Sequence, residues 1–243
     1  MLKRLRAELG QLASPTKAKI LQGFFKTGRG QYGEGDIFLG ITVPKQRDLV
    51  KKYWRDVNLP DLDKLLRSKI HEERLVALLI LVQKFEQTNS GHSDAIRRFG
   101  SRKQIYNFYL SHTKLINNWD LVDLSADKIL GAHLRNRNKS ILIKLAESQN
   151  LWERRIAIIA TFYDIKNKDS RWTLKIAKLL LYDKHDLIHK AVGWMLREVG
   201  KRCHEKILLD FLNKNYPAMP RTMLRYAIER LSEKQRKHYL KRT

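Results

Sequence analysis

The chain has 243 residues, with 49 Lys plus Arg against 25 Asp plus Glu, and a formal charge of +24. A domain of roughly 250 residues buries about three quarters of its unfolded surface, and 43% hydrophobic residues, with five Trp, nine Tyr and eight Phe, exclude a disordered basic tail. One cysteine, Cys203, excludes an internal disulfide and any multi-cysteine metal site, and a reducing cytosol is the compartment expected.

In chain order, Met1 to Leu9 is basic but leads into no apolar signal-peptide core, so nothing marks export. Pro15 after Ser14 predicts a helix start. Thr27 to Asp36 carries four glycines in ten residues and predicts a loop. It is not a P-loop, because no Gly-Lys-Ser/Thr follows and no strand precedes it. Two readings stand for it: a plain connection, or a flexible backbone that touches phosphate together with Arg29. Pro44 and Pro60 open the next helices, and Leu75, Leu78, Leu79 and Val82 form an i, i+3, i+4, i+7 stripe. Glu72, Glu73, Arg74 and Lys84 fall outside that stripe. The apolar stretch ending at Val82 is about a third of the ~20 residues a membrane span needs, so no membrane partner is expected. Helical spacing recurs at Ile156, Ile159, Ala160 and Tyr163 and at Ile176, Leu179 and Leu180, and Pro220 stands at a helix start before Arg-Thr-Met-Leu. No period-2 strand competes, and the chain reads as all-α.

A repeat emerges when small residues are aligned. His71-Glu-Glu-Arg-Leu-Val-Ala77 matches Leu151-Trp-Glu-Arg-Arg-Ile-Ala157 and Leu187-Ile-His-Lys-Ala-Val-Gly193, and a weaker copy ends at Ala227. The separations are 80, 36 and 34 residues, the first close to two units, and Trp119 to Trp152 adds an offset of 33. Helix pairs at that interval predict a HEAT-like or armadillo-like α-α superhelix (solenoid) with a concave basic face. The expected organisation is one solenoid domain over 1–243, with N-terminal helices and the Gly-rich loop over 1–36 and repeats over 37–243. Residues 1–120 hold 22 Lys/Arg and 12 Asp/Glu, and residues 121–243 hold 27 and 13, so the charge runs through the whole fold. Such a surface fits the phosphate backbone of a duplex. Ordinary basic surface is the alternative. A membrane-surface protein would more often gather its Lys and Arg on one amphipathic helix.

Trp119 and Asp123, four apart in Asn117-Asn-Trp-Asp-Leu-Val-Asp123, share one helix face. Arg155 sits in the next unit and Trp194 in the one after, so stacked repeats would bring all four onto the concave surface. Each has a plainer reading as core Trp, first-turn Asp or surface Arg, and spacing alone leaves both open. Arg154, Lys190 and Arg197 join Arg29 as candidate phosphate contacts. His185 and His189 have the spacing of a metal pair but no adjacent Glu or third ligand, and no metal is expected. Trp152 and Trp54 read as packing residues, Trp172 carries no signal, and Cys203 has no catalytic setting.

The segments Phe38-Leu-Gly-Ile-Thr-Val-Pro-Lys-Gln-Arg47, Trp119-Asp-Leu-Val-Asp123, Leu151-Trp-Glu-Arg-Arg-Ile-Ala157 and Lys190-Ala-Val-Gly-Trp-Met-Leu-Arg-Glu198 together resemble the AlkD family of bacterial DNA alkylation repair glycosylases. The resemblance runs from about residue 36 to beyond residue 200 and is poor upstream of Phe38. It implies a HEAT-like solenoid and removal of cationic N3- and N7-alkylated purines from double-stranded DNA; no cofactor is expected, and with no sign of an oligomer in the sequence a monomer is expected. Carried over position by position, the family's catalytic aspartate falls on Asp123, its active-site tryptophans on Trp119 and Trp194, and its arginine on Arg155. It further implies engagement of the lesion from the backbone side, without the base-extrusion pocket of other glycosylases. Relatives that bind DNA without excision keep a second reading in play: a non-catalytic solenoid that binds DNA or RNA structure.

Overall fold

The computed structural model describes residues 1–88 and 100–241, and among them every regular element is helical apart from one isolated β-bridge between Ile37 and Ile70. The all-α reading holds. The chain divides into two compact units, residues 1–125 and 126–243.

The first unit contains α1 (Leu2–Gln11), α2 (Pro15–Phe24), α3 (Val43–Tyr53), α4 (Leu59–Leu66), α5 (His71–Gln87), α6 (Arg102–Ser111) and the short α7 (Trp119–Asp123). Pro15 opens α2, and Pro44 and Pro60 take the second positions of α3 and α4, where a missing N–H breaks no helical bond. The glycine-rich loop is a run of turns closed on itself: Gly28 N–H donates to Gln31 Oε1 at 3.0 Å and Gly30 N–H to Glu34 Oε2 at 2.8 Å.

Four charged residues of α5 that lie outside the apolar stripe are buried as well. Glu72, Glu73, Arg74 and Lys84 are each 5% exposed or less, as buried as the apolar residues from Leu75 to Val82. The reason is that α3, α4, α6 and α7 all pack against α5 and leave exposed only its last turn, at Glu86 and Gln87. Buried charge persists only where it is paired. Glu72 accepts N–H bonds from Leu39, Gly40 and Ile41 at 2.8–3.1 Å, Glu73 takes the Arg6 guanidinium at 2.9 Å, and Arg74 meets Asp36 at 2.7 Å.

The second unit starts with a π-turn over Asp127–Gly131 and continues through α8 (Ala132–Leu134), α9 (Ser140–Ala146), α10 (Leu151–Ala160), α11 (Phe162–Lys166), α12 (Arg171–Leu179), α13 (Asp186–Arg202), α14 (Glu205–Asn215), α15 (Arg221–Ala227) and α16 (Glu233–Leu240). Its interior is apolar, with Ile156 to Ala160, Ala191, Val192, Met195 and Leu196 at most 1% exposed. Two glycines let helices touch backbone to backbone. A Cβ on Gly131 would lie 2.2 Å from Ala160 O, and one on Gly193 would lie 2.5 Å from both Met223 O and Tyr226 Cβ.

The aligned sequence segments mark one structural position. His71 and Leu151 are the first residues of α5 and α10, and Leu187 is the second of α13; each helix packs on the one before it, α4, α9 and α12. Side-chain chemistry repeats as well. Ser68 and Ser148 accept the N–H two residues on, and Arg74 and Arg154 donate back to the carbonyls of those serines, at 2.7 and 3.0 Å.

Candidate active site

An isolated five-residue helix does not hold itself together, so α7 depends on its surroundings. Asn118 caps it, its Oδ1 accepting from Trp119 N–H at 2.8 Å. Ser125 fastens the other end, donating to Leu121 O at 2.6 Å and lying 3.1 Å from the Tyr109 hydroxyl. Trp119 and Asp123 are the first and last residues of α7 and stand half-exposed, while Leu121 and Val122 between them are fully buried.

The Trp119 ring stacks on Phe25 at 5.1 Å and 17°, and Phe24 meets it edge-on at 5.9 Å. Phe24 is nevertheless 61% exposed, an unusual place for a large apolar ring. Phe25 stacks in turn on Phe38 at 4.9 Å, and Phe38 on the His71 imidazole at 4.4 Å. An open, largely apolar cavity of about 270 Å³ borders this stack, with Phe24, Phe25, Phe38, His71 and Asp120 among its walls.

Beneath the stack lies a buried charged network. His71, 2% exposed, places Nδ1 at 3.2 Å from Asp36 Oδ2 and Nε2 at 2.8 Å from Asp120 Oδ2. Asp36 Oδ1 meets Arg74 Nη2 at 2.7 Å, and Asn118 Nδ2 donates to Asp36 Oδ2 at 3.4 Å. Burial opposes charge on His71, but its hydrogen bonds to Asp120 and Asp36 prevail and raise its pKa. Burial likewise opposes the Asp36 carboxylate, yet the His71 hydrogen bond and the Arg74 charge hold its pKa below the ordinary range.

In the second unit Arg155 is 5% exposed, and its Nη1 donates to Leu187 O at 2.6 Å. It therefore joins α10 to the first turn of α13, the helix that carries Trp194. Trp194 is half-buried, its ring 5.9 Å from that of Phe162. Trp119 and Asp123 thus share α7 in one unit, and Arg155 and Trp194 are carried by packed helices in the other.

The sequence profile of the family described as DNA alkylation repair enzyme matches residues 5–231. The chain belongs to that family. A solved structure described as a predicted DNA alkylation repair enzyme from Enterococcus faecalis superposes with a TM-score of 0.67 over 91% of this chain and 97% of that one. At 16% identity the likeness is one of fold. No curated protein matches the chain. Family membership assigns the chain to DNA alkylation repair, with DNA as substrate, and no helix among the described residues is long and apolar enough to cross a membrane.

For a member of a DNA repair family, the engagement of each basic side chain matters. Arg154 pairs with Asp183 at 2.6 Å and donates to Ser148 O as Arg74 does to Ser68 O, so it serves the repeat. Lys190 pairs with Asp186 at 2.7 Å, Arg197 with Glu229, and Arg29 stands exposed on the glycine-rich loop. Two cations the sequence reading did not single out, Arg135 and Arg137, are exposed and meet no carboxylate among the described residues. They rim a polar cavity of about 240 Å³ that Trp172 also lines. His185 caps α13, its Nδ1 accepting from Leu187 N–H at 3.1 Å, and His189 Nε2 contacts Asp183 O. No cluster of three or more His, Cys, Asp or Glu is arranged for a metal among the described residues. Trp54 and Trp152 are core residues at 7% exposure, and burial pushes the Cys203 thiol pKa up.

Sequence reasoning missed Phe24 and the His71 network. A signal for the second existed: His71 stands where the other aligned segments have Leu151 and Leu187.

Proposed function

We propose that this chain is a monofunctional DNA glycosylase that removes cationic N3- and N7-alkylated purines from double-stranded DNA. Alkylation at those nitrogens already weakens the C1′–N bond. When it breaks, its electron pair neutralises the departing base and positive charge grows on the deoxyribose. Asp123 stabilises that charge and takes the proton of the water that adds to C1′. Trp119 and Trp194 offer aromatic faces to the cationic lesion and sugar, Phe24 extends the Trp119 side, and Arg155, buried and bonded to Leu187 O, positions the helix that carries Trp194. The chemistry needs no cofactor and no second copy of the chain, and fits a cytosolic monomer.

The observation that carries this reading is a five-residue helix, in a DNA alkylation repair family member, that sets an aromatic ring and a carboxylate one turn apart and is held by a buried contact between Asp120 and His71. The test is incubation of an N7-methylguanine duplex with the full chain, followed by chromatography for free base. Release of 7-methylguanine is expected. Salt-sensitive duplex binding without release would favour the non-catalytic DNA-binding reading. Absence of both would leave a helical scaffold.

A further inference from the structure

We propose that His71 is a positioning residue for α7: as an imidazolium bridging Asp36 and Asp120 it fixes the helix that carries Trp119 and Asp123, and loss of its proton loosens that helix and slows base release without weakening DNA binding. The inference rests on the glycosylase reading for its effect on turnover, and on geometry alone for its effect on α7.

Both ring nitrogens face carboxylate oxygens, at 3.2 and 2.8 Å. A carboxylate only accepts, and neutral imidazole carries one N–H, so the two contacts are satisfied together only by imidazolium. Either neutral tautomer leaves a ring lone pair pointing at a buried carboxylate, and both outcomes end on α7. If the proton stays on Nδ1, the lone pair faces Asp120, which lies in the first turn of α7 and has no other basic partner among the described residues. If it stays on Nε2, the lone pair faces Asp36 Oδ2, the oxygen that receives the Asn118 amide, and Asn118 is the N-cap of α7. The aromatic column from His71 through Phe38 and Phe25 to Trp119 is a second mechanical connection to the same helix. The charged groups around the ring are Asp36 on the segment leaving the glycine-rich loop, Asp120 on α7 and Arg74 on α5, with Glu72 and Lys17 on the walls of the adjoining cavity. The two carboxylates in direct contact outweigh Arg74, in keeping with the raised pKa of His71.

The experiment follows single-turnover release of 7-methylguanine from pH 5.5 to 9.5 by wild type, His71→Gln and Asp120→Asn, with duplex affinity measured at each pH. Wild type should lose at least about fivefold in rate through an alkaline midpoint while its affinity changes less than about twofold. His71→Gln, whose amide does not titrate, should lack that midpoint. Asp120→Asn removes a group that favours the imidazolium and should move the midpoint to lower pH. A flat wild-type profile, the same alkaline limb in His71→Gln, or an unmoved midpoint in Asp120→Asn overturns the proposal. Because His71→Gln can fail to fold, Asp120→Asn decides by itself. Hydrogen exchange of residues 118–125, corrected for the intrinsic pH dependence, gives a readout that needs no catalysis. Protection should fall through the midpoint in wild type, and unchanged protection overturns the coupling. Wild type that releases no base but shows the exchange transition would sink the glycosylase reading and leave the coupling standing.

Discussion

The two units hold their candidate site residues by different physics. In residues 1–125 the supports of α7 are polar and charged: a capping amide, an imidazole between two carboxylates, and a guanidinium behind them. In residues 126–243 the part of α13 around Trp194 is supported sterically, with Gly193 against the backbone of α15 and a core of Ile, Ala, Val and Met around it, and polar contacts are confined to its first turn. Charged supports are sensitive to pH and to loss of a partner, whereas close packing is sensitive to volume. The contrast predicts opposite vulnerabilities for the two regions.

The largest stability effect is expected from Asp36→Ala, which leaves His71 and Arg74 buried without their shared carboxylate. Removing one partner of a buried pair costs about 3–5 kcal/mol, and chemical denaturation of the purified variant measures it. Next comes Gly193→Ala. Its new Cβ would sit 2.5 Å from Met223 O, backbone that cannot swing aside, and overpacking of this kind costs about 1–3 kcal/mol. A destabilisation by Gly193→Ala equal to or above that by Asp36→Ala would reverse the contrast.

The two units should also respond to pH in opposite directions. The folded pKa of His71 lies above its unfolded value of about 6.5. Its contribution is therefore full below that value and is lost as pH rises through the folded pKa. His185 in the second unit has its pKa lowered, first by burial, and accepts an N–H as the α13 cap. Its contribution is full above about pH 6.5 and is lost as pH falls through the folded pKa. Hydrogen exchange resolved along the chain should show α7 opening on the alkaline side and the start of α13 on the acid side. The smallest effect expected is on binding. Arg135→Ala combined with Arg137→Ala should lower the salt slope of duplex binding by roughly one for each phosphate no longer neutralised and leave the rate of base release unchanged.

Much of the fold was legible because proline starts, helical spacing and the alignment of Ala77, Ala157 and Gly193 are local signals. The depth of burial was not. The apolar run of α5 marks a buried helix, but only the elements packed around it show that Glu72, Glu73 and Arg74 are interior charges too. Trp119 and Asp123 could be placed on one short helix from their spacing, but Asp36 and Asp120 come to His71 from 35 and 49 residues away, a separation no periodicity encodes. For the same reason the ion pair of Arg154 with Asp183 was hidden, and a residue that looked available for phosphate is engaged within the repeat.

The most direct test of the central claim compares Asp123→Asn with wild type on an N7-methylguanine duplex, measuring single-turnover base release beside duplex affinity. A carboxylate that acts on the developing sugar cation predicts a loss of about 10²–10³ in rate with affinity within about twofold. Base release that persists near the wild-type rate, or a loss of rate matched by an equal loss of affinity, would contradict it.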